Sequence, residues 1–142
     1  MAQVTSKVAT PRVSRPLNIL IVDDSATMRT MIRRVIDLTE LPLGTIYEAV
    51  NGLEALHILE TCSVHAVFTD INMPVMSGYE LLTEIARREA WKDILRIVIS
   101  TDGSRLRQEE VRELNVNLYI RKPFRPEVVR NVLSRIASTH NR

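Results

Sequence analysis

Aromatic residues are scarce, only 4% of the 142-residue chain, so a core drawn from the 45% apolar content must be filled by aliphatic side chains. Cys62 is the one cysteine, which excludes an intramolecular disulfide and agrees with a reducing cytosol. It reads as a small, half-buried residue at a helix end. Long apolar runs are missing too. A membrane span needs about 20 consecutive apolar residues, and stretches such as Ile19 to Val22 are far shorter; membrane insertion is not expected, and a soluble, cytoplasmic protein is. The histidines His57, His65 and His140 lie far apart without ligand spacing and read as surface or packing residues. Internal repeats and low-complexity segments are absent. Residues 1–16 contain Lys7, Arg12 and Arg15 but no acid, together with Pro11 and Pro16 and no apolar period. They read as a disordered basic tail, residues 1–16, ahead of one domain, residues 17–139.

Short β-branched runs at Leu17–Val22, Thr45–Ala49, His65–Thr69, Leu95–Ser100 and Asn117–Arg121 alternate with helical stretches. Met28, Ile32, Val35 and Ile36 share one helix face. Val129, Val132, Leu133 and Ile136 share another at i, i+3, i+4, i+7. Leu53, Leu56 and Leu59 mark a second helix, Leu81, Leu82 and Ile85 a third, and Leu106, Val111 and Leu114 a less regular fourth. Continuously apolar strands suit a parallel sheet buried on both faces. The reading is an α/β fold: a five-stranded parallel sheet, doubly wound, with helices on both faces.

In such a sheet ligands bind beyond the carboxyl ends of the strands. The predicted strands end at Asp23-Asp24, Asp70, Ser100-Thr101 and Lys122-Pro123. Residues distant in sequence therefore meet on one rim. Three carboxylates in one crevice repel unless a cation intervenes, and an all-oxygen site with room for water suits Mg²⁺. A hydroxyl and an ammonium beside them can bind phosphoryl oxygens. Any one of these residues alone reads equally well as a helix cap or a turn; together they form a constellation.

The runs Ile21-Val22-Asp23-Asp24-Ser25 and Asp70-Ile71-Asn72-Met73-Pro74 with Gly78, the pair Ser100-Thr101, and Lys122-Pro123-Phe124 resemble the receiver domains of two-component response regulators. Thr27-Met28-Arg29 and the Met73-to-Gly78 turn are similar to the stand-alone chemotaxis, CheY-like type. The resemblance covers about Leu17 to Ser138 and implies the flavodoxin-like receiver topology. It implies that Asp70 is the phosphoacceptor, with Asp24, Asp70 and the backbone carbonyl of Asn72 as direct Mg²⁺ ligands. Asp23 reaches the metal mainly through water. Lys122 contacts first the bare carboxylate and then a phosphoryl oxygen, and Ser100 hydrogen-bonds the phosphoryl group. Tyr119 is the aromatic switch that turns inward as Ser100 is drawn to the phosphate, and the Lys122-Pro123 bond is cis. Asn72 and Asp102 flank the phosphoryl site as polar residues that modulate dephosphorylation. Ile71 stands where the chemotaxis type has a tryptophan.

The implied protein is not an enzyme in the usual sense but a phosphoacceptor that assists its own phosphorylation and dephosphorylation. A histidine kinase is the expected donor. A target is expected on the face of the fourth helix, fifth strand and fifth helix, where Arg105, Arg107, Arg112, Arg121, Arg125, Arg130 and Arg135 give a basic surface. A phosphorylation-dependent homodimer on that face is the other expectation. No effector domain is expected after Arg142, and direct nucleic-acid binding is not expected either. The alternative role is a phosphorelay intermediate that passes its phosphoryl group to a histidine phosphotransfer protein, using the first helix with Met28 and Met31. A Mg²⁺-dependent aspartyl-phosphate hydrolase would need a second acid shortly after the nucleophile, and Asn72 stands in that place.

Overall fold

The computed structural model describes residues 16–39 and 41–140, with side chains up to residue 136. The proposed tail, apart from Pro16, lies outside the described residues. Five strands, β1 (Leu17–Val22), β2 (Leu43–Ala49), β3 (Ala66–Thr69), β4 (Leu95–Ser100) and β5 (Leu118–Arg121), alternate with α1 (Ala26–Asp37), α2 (Gly52–Thr61), α3 (Gly78–Arg87), α4 (Arg105–Arg112) and α5 (Pro126–His140). All strand pairs are parallel, in the order β2-β1-β3-β4-β5. That order places β1 at the topological switch, beside both β2 and β3. Among the described residues no helix is long and apolar enough to cross a membrane.

The first four helices start where the sequence supplies a cap. The Ser25 hydroxyl accepts the Met28 N–H at 3.2 Å, and the Asn51 side chain accepts the Glu54 N–H at 2.9 Å. Ser77 and Glu80 form a reciprocal capping box at the start of α3. Strand alternation then divides the core. Ile19, Ile21, Ile97 and Ile99 face one side and pack with α1 and α5 through Ile32, Val35, Ile36, Val129 and Leu133. Leu20, Val22 and Val67 face the other and pack with Ala55, Leu59, Leu81 and Ile85. A third cluster, Ile71, Leu82, Val98 and Val111, lies beneath α3 and α4, with Tyr79 and Tyr119 packed against it.

Several expectations are corrected. β2 starts two residues before the predicted Thr45, because Leu43 pairs with Leu17 across a register irregularity. The buried face of α2 is Gly52, Ala55 and Leu59, whereas Leu53 is 53% exposed. Gly52 donates its N–H to the Met76 carbonyl at 2.8 Å, and this docking turns the helix so that Leu53 points outward. In α4, Val111 is buried but Leu106 is 70% exposed.

Candidate functional site

The acidic rim is assembled from strand ends. β1 delivers Asp23 and Asp24, and β3 delivers Asp70, one residue past Thr69. Carboxylate oxygens of Asp23, Asp24 and Asp70 all lie within 4.8 Å of one another. Their environments differ. Asp23 is buried, Asp70 half-buried and Asp24 exposed. Asp23 Oδ1 accepts the Ser25 N–H at 2.9 Å, and Asp70 Oδ1 accepts the Ile71 N–H at 2.6 Å. Lys122, past the end of β5, reaches into the group. Its Nζ donates to Asp23 Oδ2 at 2.9 Å and to Asp70 Oδ2 at 3.0 Å. Burial alone would lower the Lys122 pKa, but the hydrogen bonds it donates to Asp23 and Asp70 outweigh that and raise the value above that of free lysine. The ammonium is therefore firmly held and charged. The peptide bond following it, Lys122-Pro123, is cis as expected.

The backbone below Asp70 is shaped by a close approach. A Cβ at Gly78 would lie 1.8 Å from the Asp70 carbonyl oxygen, and the Gly78 N–H donates to the Ile71 carbonyl at 2.7 Å. Only glycine lets α3 start against the acidic strand end. The loop between them makes a tight turn. The Met76 N–H donates to the Pro74 carbonyl at 2.8 Å, and Val75 takes φ 69°, a strained value for a β-branched residue. Asn72, the second residue past Asp70, is exposed.

Ser100 is fully buried at the end of β4, the strand next to β3, and its hydroxyl accepts the Asp102 N–H at 3.1 Å. Tyr119 is half-buried in the third core cluster, and its hydroxyl donates to the Asp102 carbonyl. The ring thus lies on the inside, against the β4–α4 loop. Burial raises the Tyr119 pKa, with the Asp102 and Asp70 charges adding to it against the Ser100 hydrogen bond and Arg107. Asp102 is half-buried in that loop. Its carboxylate takes the Ser104 N–H at 3.0 Å and lies 3.7 Å from Arg107, so it is engaged with the start of α4. Those contacts, the Ser104 backbone hydrogen bond first, lower its pKa.

The donor set fits a hard divalent cation. Three carboxylates offer oxygen only, one of them is solvent-facing, and the single ammonium leaves negative charge in excess. Among the described residues no other group of three or more His, Cys, Asp or Glu side chains is arranged to hold a metal. His65 accepts the Asn18 N–H on Nδ1 at 2.9 Å and His57 is exposed, which agrees with packing and surface roles; the His140 side chain lies outside the described residues. Cys62 is half-buried and caps the end of α2.

One residue escaped the sequence reading. Arg96 in β4 is only 3% exposed and forms no ion pair with a carboxylate among the described residues. Its guanidinium donates to the Leu114 carbonyl at 3.2 Å and the Trp91 carbonyl at 3.0 Å, pinning the turn before β4 to the end of α4. Burial lowers its pKa. The sequence signal was an arginine at an inward-facing position of an otherwise apolar strand.

Comparison with known proteins agrees with this geometry. A family model described as the response regulator receiver domain matches residues 19–134. A chemotaxis protein CheY homologue of Campylobacter jejuni is 35% identical over 124 residues, covering 87% of this chain and 94% of that protein. Chemotaxis protein CheY1 of Helicobacter pylori is 33% identical over 126 residues, covering 88% and 100%. The structure of the chemotaxis response regulator CheY4 of Vibrio cholerae superposes with a TM-score of 0.76 at 26% identity, covering 85% of this chain and 98% of that one.

Proposed function

The chain belongs to the response regulator receiver family, and from that premise we propose that it is a phosphorylation switch of a chemotaxis-like two-component pathway, with Asp70 as the phosphoacceptor. The observation that carries this reading is the Lys122 ammonium bridging the Asp70 and Asp23 carboxylates beside exposed Asp24. A carboxylate is a poor acceptor for an anionic phosphoryl group because like charges repel. Here Lys122 offsets part of that repulsion and is positioned to follow a phosphoryl oxygen once Asp70 is modified.

Asp23, Asp24, Asp70 and the Asn72 carbonyl would hold Mg²⁺, which supplies the remaining charge neutralisation when bound. The Ile71 N–H fixes the Asp70 carboxylate through Oδ1, leaving Oδ2 toward Lys122. Ser100, buried one strand away, is the hydroxyl for a phosphoryl oxygen. In taking that role it would release the Asp102 N–H it now accepts and so alter the loop that holds Tyr119. This is a local change in charge and hydrogen bonding that biases a two-state element.

The phosphodonor is a histidine kinase. A groove along α1, lined by Ala26, Thr30, Met31, Leu38 and Pro126, begins beside the acidic rim and suits an amphipathic helix of that partner. The output face combines Tyr119, the exposed Leu106 and the arginines of the last third of the chain. It suits an acidic, partly apolar target segment, with a second copy of the chain as the competing occupant. Both roles are assigned to the cytoplasm. The test is incubation with acetyl phosphate and Mg²⁺, followed by borohydride trapping and peptide mapping. Label on Asp70 that disappears in Asp70→Asn is expected. Label persisting in Asp70→Asn at the wild-type level would remove the assignment.

A further inference from the structure

Arg107 sits at the third position of α4, where its N–H donates to the Ser104 hydroxyl at 3.2 Å. Its guanidinium meets groups from three places. Nε is 3.7 Å from the Asp102 carboxylate in the β4–α4 loop, Nη1 is 3.1 Å from Glu110 one turn along, and the guanidinium carbon is 5.9 Å from the Tyr79 ring centroid on α3. Asp102 is the residue whose carbonyl receives the Tyr119 hydroxyl. Its N–H is tied to Ser100 and its carboxylate to Ser104 and Arg107. Where the Asp102 carbonyl points is therefore set from two sides, by Ser100 on β4 and by the start of α4.

We propose that Arg107 is a positioning residue of the switch: it holds Asp102 so that its carbonyl receives Tyr119, and thereby favours the arrangement with the ring inside. Anchored to Tyr79 on α3, it gives the loop a fixed point against which a change at Ser100 works. The Gln108 side chain adds one further hold, donating to the Gly103 carbonyl in the loop at 3.1 Å. In α4 itself Val111 is the only buried residue, so side-chain contacts at its first turn weigh heavily in placing it. The inference rests on the phosphorylation-switch reading and adds a residue that tunes the equilibrium without touching Asp70. A partly exposed ion pair is weak, so the expected effect is a bias, roughly two- to fivefold in population.

The test uses the full chain labelled with fluorotyrosine, with the Tyr119 resonance assigned by Tyr119→Phe and beryllofluoride plus Mg²⁺ as the phosphoryl mimic. Arg107→Gln is expected to weaken beryllofluoride binding roughly two- to fivefold and to shift the Tyr119 resonance of the bare protein. Its affinity for Mg²⁺ alone should stay at the wild-type value, because Arg107 is not among the rim carboxylates. Arg107→Lys should recover part of the loss. Glu110→Gln, which frees Arg107 for Asp102, should not weaken binding. Wild-type affinity and an unchanged Tyr119 resonance in Arg107→Gln would overturn the proposal. Equal weakening by Glu110→Gln would overturn it as well, by showing a general effect of helix charge. Failure of the wild type itself to respond to beryllofluoride would appear in the control arm and would overturn the phosphorylation reading, and this inference with it.

Discussion

Lys122 satisfies two carboxylates with one ammonium, and this makes it a stability determinant as well as a chemical one. Its side chain is 10% exposed and Asp23 beneath it 2% exposed. Removing the ammonium leaves the Asp23 and Asp70 carboxylates without the cation that bridges them. Lys122→Met is expected to lose about 3 kcal/mol of stability at pH 7 in the absence of Mg²⁺. Because the folded pKa of Lys122 is raised above its unfolded value of about 10.4, the contribution is fully present below that pH and is lost as pH rises through the folded value. The melting-temperature gap between wild type and Lys122→Met should therefore be constant from neutral pH to about 10 and close above it. A gap that closes between pH 7 and 9 would show that the ammonium is not held as described. The rim residues were legible in the sequence because each follows a strand-like run, and a parallel sheet brings strand ends together. The engagement of the Asp102 carboxylate with Ser104 and Arg107 was not, since it depends on how the loop turns into α4. Nor was Arg96, whose carbonyl partners at residues 91 and 114 become neighbours only when the turn before β4 and the end of α4 close around it.

At the scale of elements, periodicity located the helices, but their faces were decided by what they dock on. The α1 and α5 stripes were read correctly because each lies across the sheet and packs along its length. The leucines located α2 but not its buried face, because Gly52 and Ala55 allow a close approach that a count of leucines cannot reveal, which leaves Leu53 outside. In α4 the same logic separates two residues of similar hydrophobicity. Val111 is 1% exposed in the cluster under Tyr119, while Leu106 is 70% exposed. Val111→Ala should destabilise the protein by about 1–3 kcal/mol. Leu106→Ser should change stability by less than about 0.5 kcal/mol. Denaturant unfolding of both variants checks the ordering, and a Leu106→Ser loss matching that of Val111→Ala would place Leu106 in the core. An apolar side chain kept on the outside of a short helix agrees with the output face proposed for this region.

The molecule as a whole places its charge and its natural fluorophore at opposite ends of the sheet. The acidic rim lies beyond the carboxyl ends of β1 and β3. Trp91 sits in the turn before β4, with the Arg88 guanidinium 4.4 Å from its ring centroid. Trp91 fluorescence should therefore change little on Mg²⁺ titration yet report global unfolding, which makes it a clean probe of metal-linked stability. The doubly wound α/β class was legible from alternating patterns, and with it the rim; the strand order came from the family resemblance, and the imbalance within the rim needed coordinates. Three carboxylates within 4.8 Å share a single ammonium, so the bare protein carries repulsion that a cation would relieve. Mg²⁺ at one hundred times its dissociation constant should stabilise the wild type by about 2.7 kcal/mol. Asp24→Asn removes a metal ligand and also one of the repelling charges. It should thus be more stable than wild type in chelator, by about 1 kcal/mol at an exposed site, yet gain almost nothing from Mg²⁺. The two proteins should exchange rank between chelator and saturating Mg²⁺ when melted under Trp91 fluorescence. If Asp24→Asn is less stable in both conditions, Asp24 is a structural residue of the β1–α1 turn. If it gains as much from Mg²⁺ as the wild type, the cation is held elsewhere.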